Sequence, residues 1–110
     1  MRDYKLYLKD ILESLEKIEE YTLDVDEEKF IVDQKLQDAV IRRIEIIGEA
    51  SHKIPRSIKN VNKEIPWDEI GNFRDFIVHT YFGASIHRIW NMIKEDFPKL
   101  KKKFLEVKLL

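Results

Sequence analysis

Apolar residues recur every three or four positions through most of the chain, a spacing that places them on one face of an α-helix. The first stripe predicts a helix from about Asp3 to Tyr21. Asp3 suits its N-cap because a carboxylate there can accept a hydrogen bond from a free backbone N–H. The apolar positions of this helix follow a 4-3-4-3 spacing at Tyr4, Leu8, Ile11, Leu15 and Ile18.

A second helix is predicted from about Asp26 to Lys53, and its apolar arc is wider than one core face needs. The arc combines a regular stripe with flanking apolar residues: Leu36, Val40, Ile44 and Ile47, flanked by Ile31, Val32, Ala39, Ile41 and Ile46. Such a helix lies either at the centre of a bundle or partly in a subunit interface. Gly48 lies inside it, where glycine costs about 1 kcal/mol relative to alanine. Close approach of another helix would explain that cost.

Proline marks the end of the second helix and the start of the third. Pro55 ends the second helix, and residues 55–66 form a connector with one helical turn around Ser57–Asn60. Pro66 suits the first turn of a third helix, because proline has no N–H to pair and its φ angle is already helical. This third helix is predicted to run to about Tyr81.

A fourth helix completes the predicted fold. Gly83 suits the left-handed C-cap of the third helix, and Ser85 suits the N-cap of the fourth. Pro98 interrupts the fourth helix, which either kinks there or restarts after Asp96. Short connections favour antiparallel neighbours. The pattern therefore predicts an all-α fold, an antiparallel bundle of four to five helices in a single domain that spans residues 1–110.

The composition agrees with this fold class and excludes several functions. A length of 110 residues fits one domain, and three Gly and three Pro are few for an all-β chain. The absence of Cys excludes disulfide scaffolds, thiolate metal sites and Cys nucleophiles. No apolar run exceeds three residues, so neither a membrane-spanning helix nor a signal peptide is expected. We therefore expect a cytoplasmic protein that does not bind membranes.

Charge is balanced overall but uneven along the chain. The 20 basic and 21 acidic residues leave a net charge of −1. This balance excludes a bulk electrostatic nucleic-acid binder but leaves room for a local basic site. Residues 1–30 are predominantly acidic and residues 97–110 predominantly basic. Either these segments are two solvated helix faces, or they associate, within one chain or between two copies.

The segment most informative about chemistry is 74–83, at the end of the third predicted helix. Asp75 and His79 are i,i+4 neighbours, so the carboxylate can orient the imidazole. Arg74 and His79 lie about 140° apart around the helix axis, so they can flank one groove but cannot share a narrow face. These side chains suit phosphodiester chemistry on RNA, in which Arg binds phosphate, His moves a proton and the 2′-OH is the nucleophile. A surface ion pair is the alternative interpretation.

Metal and cofactor sites are not predicted. The three histidines form no i,i+3 or i,i+4 pair with one another, and single carboxylates such as Asp75 and Glu49 do not complete a ligand set. No glycine-rich phosphate loop is present, and no Ser-His-Asp arrangement follows from the spacing. We expect chemistry that uses neither a metal nor an organic cofactor.

The same segment resembles the HepT-like proteins of the HEPN superfamily, the toxin half of the HepT/MntA type VII toxin–antitoxin system. The family signature is Arg, four residues, His, one residue, Tyr, and this chain has Arg74, His79 and Tyr81 at that spacing. The resemblance covers nearly the whole chain. Its flanking parts are Ile46-Ile47-Gly48-Glu49-Ala50, Ile65-Pro66-Trp67 and Tyr81-Phe82-Gly83.

The resemblance implies a HEPN-like bundle that forms a homodimer, with two Arg/His motifs facing each other across a cleft. It implies metal-independent endoribonuclease activity on RNA, with Arg74 and His79 as the catalytic pair. Asp75 occupies the position where Asn is common in relatives. Tyr81 resembles the tyrosine that a cognate MntA-like nucleotidyltransferase antitoxin adenylylates to silence the toxin. Glu49 has no role that carries over, and we expect it to support the site by orienting Arg74 or a neighbouring backbone.

Two other functions stay open on the residues alone. One is a non-catalytic subunit that binds a nucleotide in the dimer cleft or presents a surface to a nucleotidyltransferase. The near-neutral charge and Asp75 favour this alternative. The other is a purely structural helical dimer, in which Arg74, Asp75 and His79 form an ion-paired surface.

Overall fold

The structure, a computed structural model, describes residues 2–81 and 86–109, with side chains throughout except at residues 79–81. Within those ranges every regular element is a helix, which confirms the all-α fold class. The α-helices are α1 (Tyr4–Tyr21), α2 (Glu27–Val32), α3 (Gln34–Ser51), α4 (Arg56–Asn60), α5 (Trp67–Gly71), α6 (Phe73–Tyr81), α7 (Ile86–Asn91) and α8 (Phe97–Leu105). A π-helical turn (Met92–Asp96) joins α7 to α8.

Helix α1 confirms the prediction from the first apolar stripe. Its N-cap is Asp3, whose carboxylate accepts a hydrogen bond from the backbone N–H of Lys5 at 2.9 Å. Tyr4 is half-buried against the core, and the other four positions of the stripe are buried: Leu8, Ile11, Leu15 and Ile18. The apolar periodicity therefore identified both the element and the face that it buries.

The single helix predicted from Asp26 to Lys53 is wrong, because the chain forms two helices, α2 and α3, on either side of Asp33. Asp33 has extended backbone angles (φ −104°, ψ 92°). Its carboxylate accepts a hydrogen bond from the N–H of Leu36 at 3.1 Å, so Asp33 is the N-cap of α3. This cap provides a partner for a backbone N–H that the break would otherwise leave unpaired.

The buried side chain of Gln37 stabilises the same break from the other side. Its amide nitrogen donates to the carbonyl oxygens of Phe30 at 2.8 Å and Ile31 at 2.9 Å, near the end of α2. Carbonyls in the last turn of a helix have no helical partner, so this amide replaces the hydrogen bonds that a continuous helix would have made. The apolar periodicity runs across the break and therefore does not reveal it.

The wide apolar arc of α3 is buried within the chain. One side of α3 packs on α1 and the other on α5 and α6, and Val40, Ile44 and Ile47 are fully buried between them. Some large apolar side chains in the described residues stay exposed, but none of these lies on α3. Burial of the α3 residues agrees with the interpretation of a helix at the centre of the bundle, whereas Val32, the predicted arc residue that lies on α2, keeps 83% of its surface accessible. A role of the arc in a subunit interface stays a prediction.

Gly48 lies where α5 and α6 cross α3. A Cβ atom at Gly48 would be 3.3 Å from the carbonyl oxygen of Ile70 and 3.4 Å from Cβ of Phe73. Both contacts are at or near the limit of ordinary packing, so glycine allows the two helices to touch α3 almost backbone to backbone. The predicted close approach is thus confirmed.

The third helix, predicted as continuous from Pro66 to Tyr81, is divided into α5 and α6 at Asn72. The backbone angles at Asn72 (φ −91°, ψ 5°) end α5 after Gly71. The His52 ring nitrogen Nε2 lies 3.0 Å from the carbonyl oxygen of Gly71, and because a carbonyl only accepts, Nε2 carries the proton. A Cβ at Gly71 would lie 3.2 Å from the same ring, so glycine leaves room for this contact.

The predicted restart after Asp96 is wrong, because the helical backbone continues without a break from Ile86 to Leu105 through the π-helical turn and Asp96 itself has helical backbone angles. The N–H of Phe97 donates to the carbonyl of Met92, which closes a π-helical turn directly before Pro98. Pro98 has no N–H to donate to a helical hydrogen bond, and the wider π-helical turn before it accommodates the proline without ending the helix. The predicted caps Gly83 and Ser85 lie outside the described residues. No helix in the described ranges is long and apolar enough to cross a membrane.

The acidic and basic ends of the chain associate within one molecule. Helix α8 packs on α1, and the ammonium of Lys101 donates to the carboxylate of Glu19 at 3.1 Å. The carboxylate is well exposed, so the pair contributes well under about 1 kcal/mol. The association therefore depends mainly on apolar contacts between the two helices, and the charge asymmetry complements them.

Asn62 joins the C-terminal residues to the connector that contains α4, the predicted helical turn. Its side-chain nitrogen donates to the carbonyls of Ile58 and Lys108, each at 2.9 Å, and its side-chain oxygen accepts from the N–H of Lys108 at 2.8 Å. The indole N–H of Trp67 donates to the backbone carbonyl of Asn62 at 3.0 Å. Asn62 is completely buried, so no water replaces these bonds if they are lost.

We expect Asn62→Ala to lower the free energy of unfolding by about 2 kcal/mol, because it leaves buried backbone groups without partners. Asn60→Ala is the matched control, since Asn60 is exposed, and it should change stability by less than about 0.5 kcal/mol. Urea unfolding followed by circular dichroism measures both. Equal stability of the two variants would contradict the assignment of Asn62 as a buried structural link.

Candidate functional site

Helix α6 carries the Arg-x4-His-x-Tyr segment and is oriented by its buried side. Phe73 and Ile77 are buried, and Phe73 contacts α3 at Gly48 and the ring of Phe97, with ring centroids 6.0 Å apart. Because α6 is anchored along this line, the residues a third of a turn or more away from it face solvent. The packing of α6 therefore determines which part of the segment is accessible.

The exposed face of α6 has Arg74 on one edge and position 79 on the other. Arg74, Asp75 and Val78 are all exposed, and Val78 keeps 52% of its surface accessible. The backbone of position 79 continues the same helix, about 140° around the axis from position 74. Val78 and Asp75 lie between these edges. One copy of α6 therefore does not bring the Arg and His positions onto one narrow face.

Arg74 makes neither a salt bridge nor a hydrogen bond with another residue of the described ranges, including Asp75. The ion-paired surface that was the structural alternative is thus not formed between Arg74 and Asp75. An exposed guanidinium without an internal partner keeps its five N–H donors for an external anion. The predicted contact of Asp75 with His79, and the side chain of Tyr81, lie outside the described side chains.

Glu49 lies on α3 and does not contact Arg74 within one chain. Its carboxylate is 3.9 Å from the guanidinium of Arg42 on the same helix, and both side chains are more than half exposed. Glu49 also lines a shallow groove between α1 and α3 with Tyr7 and Lys53. Its role in orienting Arg74 or a neighbouring backbone stays a prediction.

The remaining two histidines make contacts between helices. His52 donates to the carbonyl of Gly71, as described above. His87 joins α7 to α2, with its Nδ1 atom 2.6 Å from a carboxylate oxygen of Glu27. Among the side chains that the structure describes, no group of three or more His, Asp or Glu residues could hold a metal ion.

A groove between α6 and α7 lies beside the exposed face of α6, and sequence reasoning did not single it out. The cavity has a volume of about 460 Å³. The guanidinium carbon of Arg88 lies 5.2 Å from the ring centroid of Phe76 at its centre. Its residues come from two stretches of the chain, from α5 through α6 and from α7 through the π-helical turn. Each stretch shows only ordinary helical spacing, and the sequence does not indicate that the two stretches face each other.

Comparison with known proteins identifies the class of this molecule. Residues 11–107 match the protein family Ribonuclease HepT-like. A Thermococcus cleftensis protein named "Probable ribonuclease HepT" is 50% identical over 103 residues, 94% of this chain and 94% of that protein. A Methanocaldococcus jannaschii protein named "Putative RNase" is 43% identical over 101 residues, 92% of this chain and 93% of that protein. No solved structure matches this chain.

A second Methanocaldococcus jannaschii protein, named "Gamma-glutamylcyclotransferase and putative RNase", is 47% identical over 106 residues. These residues are 96% of this chain but 48% of that protein. The matches define an RNA-cleaving enzyme with an all-helical fold. The chain belongs to the HepT-like ribonuclease family of the HEPN superfamily, which confirms the resemblance recognised from Arg74, His79 and Tyr81.

Proposed function

We propose that this chain is the toxin of a toxin–antitoxin pair, a cytoplasmic, metal-independent endoribonuclease whose active site forms between two copies of α6. The observation that carries the proposal is the state of Arg74. It is exposed, lies in the signature of a ribonuclease family, and has no ion pair with any other described residue. Arg56 and Arg88 are also exposed and form no salt bridge with a described residue. The position of Arg74 in the signature distinguishes it from them, and its guanidinium is available to a phosphate.

The reaction requires only two side chains and the substrate itself. His79 removes the proton from the ribose 2′-OH, and the 2′-oxygen attacks the adjacent phosphorus while the bond to the 5′-oxygen breaks. The imidazolium of His79 that this step forms then gives its proton to the leaving 5′-oxygen. Arg74 binds the non-bridging oxygens and stabilises the charge that grows on them. The products are a 2′,3′-cyclic phosphate and a 5′-hydroxyl end.

The position of the two residues on α6 supports a homodimer. The roughly 140° between them is too wide for both to reach one phosphate from the same helix. A two-fold axis near the exposed face of α6 would place Arg74 of each copy opposite His79 of its partner. Val78, an exposed apolar residue at the centre of that face, would then be covered. Asp75 and Glu49 would act as supporting residues at the edge of the cleft.

Adenylylation of Tyr81 would switch off the proposed activity. It lies seven residues after Arg74 on α6, so the two positions share one stripe of the helix, and a group attached to Tyr81 would lie on the Arg74 side of the cleft. A cognate MntA-like nucleotidyltransferase that adenylylates Tyr81 would add bulk and a negative phosphate there. Both would exclude the RNA backbone, the charge by repulsion and the bulk by occupying its path.

A non-catalytic subunit, which binds a nucleotide or a nucleotidyltransferase, is the second candidate. The exposed carboxylate of Asp75 next to Arg74 favours it, because a negative charge beside the phosphate-binding residue weakens attraction of an RNA backbone. This candidate and the ribonuclease differ in turnover, which one assay measures.

We expect Arg74→Ala and His79→Ala each to lower the rate of RNA cleavage by about 1,000-fold, because each removes a group that stabilises the transition state or transfers a proton. Thermal unfolding of Arg74→Ala should stay within about 2 °C of the wild type, since Arg74 has no partner among the described residues. Cleavage by the wild type should persist in EDTA and leave 2′,3′-cyclic phosphate ends. Nucleotide binding without cleavage of varied RNAs would instead support the non-catalytic subunit.

We expect co-expression with the cognate nucleotidyltransferase to add the mass of one or more AMP groups to the wild-type protein and to abolish cleavage. Tyr81→Phe lacks the hydroxyl that accepts AMP, so it should gain no mass and stay active. Intact-protein mass spectrometry measures the addition, and Tyr21→Phe is a control for tyrosine loss elsewhere. AMP addition that persists in Tyr81→Phe would show that the modified residue is a different one.

A further inference from the structure

The groove between α6 and α7 is a built cavity with an aromatic centre and a polar rim. Its centre is formed by Phe76 and Met92, both half-buried, and its rim carries Asn72, Arg88 and two carboxylates, Glu69 and Asp96. Its volume is about 460 Å³, which lies in the range of small-molecule sites. The described part of the chain leaves it open to solvent, so a ligand can enter without a change in the fold.

The centre of the groove has the geometry of a stacking site. The guanidinium of Arg88 lies over the ring of Phe76, with its carbon 5.2 Å from the ring centroid. Arg88 forms no salt bridge with another described residue. Proteins stack unpaired bases of RNA on aromatic rings and on guanidinium planes. The 5.2 Å spacing leaves no room for a base between this ring and this guanidinium, so a base would stack on the outer face of the guanidinium. The planar pair therefore suits a planar heterocycle.

The charge of the rim selects the base rather than the phosphate of a nucleotide. Glu69 and Asp96 together carry one more charge than Arg88 compensates, and neither carboxylate forms a salt bridge with a described residue. Lys99 and Lys103 line an adjoining cavity with the same two carboxylates. Within the groove itself the excess charge is negative, which disfavours a phosphate, whereas the N–H groups of a base would find acceptors. Guanine offers the best match, because its N1–H and N2 amino group donate to the carboxylates while its O6 and N7 accept from the side-chain amide of Asn72.

The groove lies next to the His79 edge of α6 and not the Arg74 edge. Phe76 and position 79 are three residues apart on the same helix, about 60° around its axis. We propose that this groove binds a guanine base of the RNA substrate, next to the phosphate on which His79 acts, and so determines where the RNA is cut. The role of the groove in cleavage rests on the proposed ribonuclease function, whereas its affinity for guanine does not.

Separate measurements of binding and of cleavage distinguish the guanine site from the proposed ribonuclease function. The probes are single-stranded oligouridylates with one internal guanosine, inosine or adenosine, and binding is measured by fluorescence anisotropy with cleavage-inactive His79→Ala protein. We expect the guanosine probe to bind about tenfold more tightly than the adenosine probe. The inosine probe lacks the N2 amino group and should lose most of this preference. Wild-type protein should cut the guanosine probe at one position beside the guanosine.

Three variants assign the preference to the groove. In the His79→Ala background, Glu69→Gln and Asp96→Asn should remove the guanosine-to-adenosine ratio. Arg88→Ala should weaken binding of every probe by about tenfold, because stacking does not depend on the base. Glu95→Gln is the matched control, an exposed carboxylate beside Asp96 that does not line the groove. Its ratio should equal that of the parent protein.

Equal binding of the three probes, tighter binding of adenosine, or a ratio unchanged by Glu69→Gln and Asp96→Asn would each overturn the guanine site. Because the ratio compares two probes on one protein, the general effect of removing a negative charge cancels. If guanosine binding follows the expected pattern but wild-type protein cuts no RNA, the proposed ribonuclease function fails while the base site stands. The reverse result would retain the ribonuclease and remove the base site.

Discussion

The close contact at Gly48 determines how the rest of this small protein presents its chemistry. A hydrogen in place of a side chain lets the Ile70 carbonyl and Phe73 approach α3 within ordinary packing limits, and α6 is thereby held by Phe73 and Ile77. The opposite face of α6 is left exposed, and Arg74, Asp75 and Val78 lie on it. Glycine inside α3 lowers helical stability by about 1 kcal/mol. The close contact that it permits fixes the orientation of α6.

Local apolar periodicity is sufficient to predict the helices and their buried faces, because i,i+3 and i,i+4 spacing is a property of neighbouring residues. Helix α1 and the turn α4 were predicted on this basis, and the signature of the family was readable because its residues lie within one helix. The breaks at Asp33 and Asn72 were not predictable in the same way. They depend on side chains that fold back onto distant backbone, Gln37 onto α2 and His52 onto Gly71.

The candidate site also combines features that the sequence predicts with features that only the structure reveals. The separation of Arg74 and His79 around the helix follows from their spacing alone, and for this reason the proposed phosphate site takes groups from a second copy of the chain. The groove of Phe76 and Arg88 required the structure, since α6 and α7 each supply only part of it. The wide apolar arc was ambiguous in the sequence. Its α3 residues pack against α1, α5 and α6 within one chain, and the proposed dimer uses the exposed face of α6.

Heterodimers test the shared active site most directly. Two differently tagged chains are co-expressed and doubly purified, one pair combining Arg74→Ala with His79→Ala, the other combining wild type with the double variant. The first pair keeps one Arg and one His on different chains, and the second keeps them on the same chain. A site completed across a two-fold axis predicts about half of the wild-type cleavage rate for the first pair and near-complete loss for the second. Activity in the second pair with none in the first would contradict it, because Arg74 and His79 of a single chain would then be sufficient.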